Sequence, residues 1–239
     1  MTEFTTWRSL VDGAEISAIP DSENLESAYI ADDISGSQDD AVSTWEDSEG
    51  TFDATQATES DQPTLNTDDL NGLNTVSFDG GDFLDTGHQQ DTNEDRSLYA
   101  VVIYNETGSR ERYYGALTTD GDRNRNIVGK ESDESHGFGY SDSFETGGTQ
   151  TTGSFVAVAH IADSGTHTAY EDNSQQGSAS YTGQGEVDFS DYIGAQNSGG
   201  SVDSQMTGKI AEILRYGTAH NSTTRAEVFS HLNSKYGLS

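Results

Sequence analysis

The sequence predicts an all-β chain, a sandwich or barrel of short antiparallel strands closed by one C-terminal α-helix, and three observations predict it. Apolar runs of strand length recur along the chain with turn residues between them. The 26 Gly, 11 Tyr, 9 Phe and 2 Trp suit a protein of turns and pleated surfaces. A helical period replaces the strand period only after Asn221.

Taken in chain order, the first strand candidates are 75–78 and 83–84. Residues 98–104, Leu-Tyr-Ala-Val-Val-Ile-Tyr, are almost continuously apolar and read as a buried strand that ends at the polar turn 105–108. Short candidates follow at 112–117, 126–129 and 137–140. Residues 154–161 form a second apolar run, which Asp163-Ser164-Gly165 turns back into 166–170 as a hairpin. The last candidates are 191–194 and the long 208–216. Strands this short and this frequent indicate a sandwich or barrel. Past Asn221, Val228, Leu232 and Tyr236 recur every fourth residue with Phe229 beside them. Asn221 suits an N-cap, Gly237 the residue after the helix, and Lys235 its last turn. The expectation is a helix of about four turns packed on the sandwich edge. No repeat or linker divides the chain, so 25–239 reads as one domain and 1–24 as an N-terminal arm.

Charge narrows the partners. Asp and Glu number 42 against 11 Lys and Arg, a formal net charge of −31. Leu, Ile, Val and Phe make up only 41 residues, a share that in a highly charged chain usually marks disorder; the aromatics and the apolar runs argue against it. Such a surface repels phosphate backbones and anionic headgroups, so neither a nucleic-acid partner nor membrane insertion is expected. No Cys is present, which removes disulfides, thiol catalysis and Cys-ligated zinc. The first residues carry no basic and apolar leader pattern of the Sec type. The carboxylates are scattered, and Lys130, Lys209 and Lys235 are the only lysines. Self-repulsion of this kind reaches over about 30 Å at 0.01 M salt and about 3 Å at 1 M, which reads as adaptation to a salt-saturated environment.

Several segments resemble a known family. Ala41-Val42-Ser43-Thr44-Trp45 with Phe52-Asp53-Ala54-Thr55, and Asn71-Gly72-Leu73-Asn74-Thr75-Val76-Ser77-Phe78-Asp79-Gly80, resemble laminin-G-like modules of the concanavalin A-like lectin/glucanase superfamily. So do Ile193-Gly194, the stretch 208–216 and Tyr236 at the helix end. The resemblance spans about residues 25 to 238 and implies an antiparallel jelly-roll β-sandwich with one C-terminal α-helix. It places Trp45 in the core. In the hairpin after Tyr170 the family's turn Gly is replaced by Ser174, so a longer turn is expected there.

Glucanases of this superfamily carry paired carboxylates alternating along one strand. The nearest match, Glu131-Ser132-Asp133-Glu134, lacks the alternation, and no enzymatic activity is expected from it. Asp120, Asp122, Asn124, Asn126 and Glu131 fall at calcium-loop spacing, although Arg125 stands where that loop needs Gly; calcium is therefore the one cofactor candidate. The six His show no paired zinc spacing and read as scattered surface or core residues. Tyr113, Tyr114, Phe138 and Tyr140 are the candidates for stacking on sugar rings, weighed against a core role. In the arm, Phe4, Trp7, Leu10, Val11, Ile16 and Ile19 supply apolar surface for docking on a partner.

Two functional readings follow. The first is a non-catalytic virion surface protein of a halophilic archaeal virus, a capsid turret, spike or tail-fibre component. It would partner with other virion proteins and copies of itself and adhere to a host glycan or glycoprotein. The alternative is a cellular, extracellular carbohydrate-binding lectin or glycoside hydrolase.

Overall fold

The computed structural model describes residues 18–105, 108–117 and 125–238. In chain order its strands are β1 (Leu25–Ile30), β2 (Thr44–Trp45), β3 (Ala54–Thr55), β4 (Thr64–Leu70), β5 (Leu73–Asp79) and β6 (Leu84–Asp85). They continue as β7 (Arg96–Tyr104), β8 (Glu111–Leu117), β9 (Arg125–Lys130), β10 (His136–Tyr140), β11 (Ser143–Gly147) and β12 (Val156–Asp163). The last are β13 (Thr166–Glu171), β14 (Ser174–Ser180), β15 (Tyr192–Ile193), β16 (Gln196–Ser198), β17 (Ser201–Asp203) and β18 (Thr207–Tyr216), followed by helix α1 (Ser222–Tyr236).

These strands form two sheets, an open sandwich rather than a barrel. The first runs β14-β13-β12-β7-β18-β5-β4, with β1 also paired to β18. The second runs β11-β10-β9-β8-β15-β6-β3-β2, with β16 and β17 attached at β8. Alternation along β7 explains its continuous apolar sequence. Leu98, Ala100, Val102 and Tyr104 face the second sheet, while Tyr99 and Val101 face the helix. Across the interior they meet Tyr113, Tyr114, Val128, Phe138 and Ile193 of the second sheet, and Trp45 is fully buried among them.

The helix lies on the outer face of the first sheet, which corrects the expectation of edge packing. Val228, Phe229, Leu232 and Tyr236 are buried there against Tyr99, Val101, Ala157, Ala159, Ala211, Leu214 and Tyr216. Three alanines in that bed let the helix sit close, and each large buried side chain contributes about 1.5–3 kcal/mol. A bulge between Ile210 and Glu212 puts both Ala211 and Glu212 on the helix side. Glu212, fully buried, there accepts hydrogen bonds from the Lys235 ammonium and the Tyr236 hydroxyl. Asn221 caps the helix by accepting from the backbone N–H groups of Thr223 and Thr224 at 2.8 and 3.2 Å. Gly237 ends it at φ +65°.

The β13–β14 turn is shorter than the sequence led us to expect. Glu171 pairs directly with Ser174, and Asp172 and Asn173 take φ of +45° and +62°. That is the two-residue hairpin geometry that Asn and Asp tolerate without Gly. Of the arm residues named above, Ile19 alone is described; it packs partly buried against the helix cluster. Phe4, Trp7, Leu10, Val11 and Ile16 lie outside the described residues.

Candidate carbohydrate site

One register row crosses the second sheet on the face away from the core. Phe144 pairs with Gly139, Gly139 with Ile127, Ile127 with Gly115, Gly115 with Tyr192, Tyr192 with Asp85, and Asp85 with Thr55. The adjoining row holds Phe138, Val128, Tyr114, Ile193 and Leu84, all core residues. The period of two therefore turns the first row away from the core, where the Arg125 and Phe144 side chains pack over Gly139 and Ile127 is 4% and Tyr192 9% exposed. Glycines form part of its floor. A Cβ on Gly115, whose φ is +136°, would sit 2.0 Å from the Asn126 carbonyl oxygen, so only Gly lets β8 and β9 approach there.

Rings stand at both ends of this row. At one end Phe83, half-buried, lies over Tyr192 with ring centroids 4.7 Å apart and planes 31° apart. Asp85 is beside them, and its carboxylate accepts the Gly87 N–H at 2.9 Å. Burial, and next the Asp85 charge, push the Tyr192 hydroxyl above its ordinary pKa. At the other end Phe144, also half-buried, has the Arg112 and Arg125 guanidinium carbons 5.6 and 5.9 Å from its ring centre. Behind Tyr192, fully buried Asp191 accepts from Asn126 Nδ2 at 3.0 Å on both oxygens and lies 3.1 Å from His88 Nδ1. This bracing ties the residue before β15 to β9 across β8.

A charged group borders the glycines. Gly137 is a neighbour of Gly129, which pairs with Arg112. A Cβ on Gly137 would meet Glu131 Oε1 at 2.5 Å and Arg112 Nη1 at 3.0 Å, so both side chains lie over that glycine. Glu131 binds Arg112 Nη2, and it accepts from Arg110 Nε at 2.8 Å. Arg112 Nη1 also donates to the Lys130 carbonyl at 3.0 Å. Burial lowers the Arg112 pKa, and Glu131 opposes that shift. The Arg110 side chain, 58% exposed, carries the group's outer edge to solvent.

Several residues singled out from sequence have other roles. Tyr113, Tyr114, Phe138 and Tyr140 are at most 1% exposed, which removes them as stacking platforms. For Tyr113 and Tyr114 the reason is a bulge between Arg112 and Tyr114, which turns two consecutive tyrosines into the core. Tyr140 instead donates its hydroxyl to the Asp91 and Glu94 carbonyls. Two calcium candidates are likewise reassigned: Asn126 is fully buried on Asp191, and both Glu131 oxygens face arginines. Asp120, Asp122 and Asn124 lie outside the described residues. Among the described residues no three His, Asp or Glu gather as a metal site. Glu131-Ser132-Asp133-Glu134 follows β9 and makes the turn into β10, not an alternating strand. All six His are buried.

The rings that do reach the outer face, Phe83, Phe144 and Tyr192, were missed because each stands in a short or irregular segment. The signal that could have found them is the alternation of Phe83 with Leu84 and of Tyr192 with Ile193, and the pairing of Phe144 with Gly139. A hollow of about 810 Å³ lies along α1 and is bordered by Ala18, Pro20, Ala226, Ser230 and His231. Its lining includes no Phe, Tyr or Trp to stack on a sugar.

No family model matches the chain, and no curated protein matches it. Among solved structures, Trypanosoma rangeli sialidase in complex with the inhibitor DANA superposes with a TM-score of 0.63 at 16% identity, over 89% of this chain and 33% of that one. The same sialidase with sialic acid gives 0.60 at 17% identity, over 92% and 34%. Domain 4 of AbnA, a GH43 extracellular arabinanase from Geobacillus stearothermophilus, in complex with arabinotriose, gives 0.60 at 16% identity, over 86% of this chain and 98% of that one. The chain thus spans about a third of the sialidases' length and nearly all of the arabinanase domain. Identity this low establishes the fold, which is one found in carbohydrate-active proteins.

These neighbours correct the expectation of a protein that is not an enzyme. Sialidases and a domain of an arabinanase are among the proteins that share the fold. They lend the virion-surface role, its virion partners and a halophilic source no support.

Proposed function

We propose that this chain recognises carbohydrate, and that the outer face of the second sheet takes a neutral glycan chain. The row from Phe144 across Gly139, Ile127 and Gly115 to Tyr192 and Phe83 carries this reading. A sugar presents apolar C–H faces and a rim of hydroxyls. Rings at the ends of the row suit the faces, and Asp85 and the exposed Arg110 suit the hydroxyls. The net charge of −31 repels anionic polysaccharides and favours neutral ones. The arabinanase domain bound to arabinotriose supports a sugar role for this fold by analogy.

Affinity electrophoresis and calorimetry against a panel of neutral and acidic polysaccharides test the proposal, with reducing-sugar release read from the same samples. Binding to at least one neutral polysaccharide is expected. Phe83→Ala and Phe144→Ala should each weaken it about tenfold, the loss of roughly one stacking contact of about 1.4 kcal/mol. Retention only of acidic polysaccharides, or unchanged affinity in both variants, would overturn the assignment.

A further inference from the structure

Helix α1 carries two stripes. Val228, Leu232 and Tyr236 make the buried one, packed on the first sheet. Ser222, Ala226, Ser230 and Ser234, also four residues apart, make a second; its three serines are exposed and Ala226 is half-buried. A surface helix ordinarily turns charged side chains to solvent. In a chain with 42 carboxylates, Glu227 is nevertheless the only acidic residue of this fifteen-residue helix. The hollow of about 810 Å³ runs along the small stripe from Ser222 to Ser234. Short side chains at a contact set how closely a second segment approaches a helix.

The other wall of the hollow is the start of the described chain. Ala18 and Pro20 border it, and Ile19 between them packs partly buried against the helix cluster. Two contacts fix this run beside the helix entrance. The Pro20 carbonyl accepts the Tyr216 hydroxyl at 3.0 Å, and the Asp21 carboxylate lies 3.2 Å from His220 Nε2, next to the N-cap Asn221. Seventeen residues precede Ala18, among them Phe4, Trp7, Leu10, Val11 and Ile16. Leaving such side chains in water forfeits the gain of burying them. From Ser222 to Ser234 the helix rises about 18 Å, a distance that about six residues of extended chain cover. A segment tethered at the rim meets the hollow at an effective concentration in the millimolar range. A second copy would instead bring one surface of net charge −31 against another.

We propose that residues 1–17 of this same chain dock in the hollow along α1, with their apolar side chains on the Ser222–Ser234 stripe. The docked segment continues the cluster that Ile19 begins and covers the open face of the helix. It lies on the first sheet's side of the molecule, so the assignment stands apart from the sugar-binding face of the second sheet.

Hydrogen exchange of the full chain, read by mass spectrometry at two protein concentrations, tests the proposal. Residues 3–11 should exchange at least about tenfold more slowly than a free peptide of their sequence. Ser230→Arg and, separately, Ser234→Arg place a long charged side chain in the hollow from exposed helix positions. Each should abolish that protection and leave the exchange of β7 and β18 unchanged. Trp45 is fully buried, so acrylamide quenching reports mainly on Trp7 and should rise in both variants. Complete exchange of residues 3–11 at the earliest time would overturn the proposal. So would protection unchanged in both variants, or protection that appears only as protein concentration rises, which marks a second copy.

Discussion

Replacing Glu131 by Gln separates an ion-pair role from a metal-ligand role for a residue that the sequence offers as the last position of a calcium loop. The Arg112 and Glu131 side chains are 2% and 9% exposed, so solvent hardly screens their pairing. The substituted amide keeps the shape and one hydrogen bond but leaves the Arg112 guanidinium buried without its carboxylate. Breaking a buried pair from one side costs about 3 kcal/mol, which in a chain of this size is a fall of about 6–12 °C in melting temperature. Urea unfolding followed by far-UV circular dichroism, with and without EDTA, measures it. The loss should be the same in both buffers, and Arg112→Met added to Glu131→Gln should recover much of it, because no buried charge then remains unpaired. A change below about 0.5 kcal/mol would refute the reasoning. So would EDTA bringing the unaltered chain down to the variant's level.

Three further outcomes are expected. His167→Gln should remove a pH dependence: a histidine whose folded pKa lies at about 4 against 6.5 unfolded binds protons more readily unfolded. The intact chain should therefore lose about 3 kcal/mol relative to the variant between pH 6.5 and pH 4, read by urea titration at each pH. Asn221→Ala deletes the acceptor for two helix N–H groups and should cost about 1 kcal/mol in the same assay. Circular dichroism in sodium acetate should show β structure at about 2 M that weakens on dialysis toward about 0.01 M, where the −31 charge is no longer screened; a salt-indifferent spectrum would count against that reading.

The long strands and the helix were legible because packing on both faces gives them continuous apolar sequence. Residues 98–104, 154–161 and 208–216 lie largely within β7, β12 and β18. β2, β3, β16 and β17 were not legible: two or three residues long, they carry no period of their own and are defined by their neighbours. The outer-face site was hidden for the same reason, since Asp85 and Tyr192 belong to two-residue strands that acquire a face only through pairing. The dipeptide Tyr113-Tyr114 misled because a bulge breaks the alternation on which a face assignment depends. The position of the helix could not be read either; its stripe was visible, but the alanine bed that receives it comes from separate strands.

Amide chemical-shift mapping during titration with a neutral oligosaccharide, chosen from the panel, tests the sugar-binding face most directly. The account predicts perturbations along Asp85, Tyr192, Gly115, Ile127, Gly139 and Phe144, with the backbone of α1 unchanged. Perturbations centred on Ala226, Ser230 and His231 along the helix, or none at saturating sugar, would contradict it.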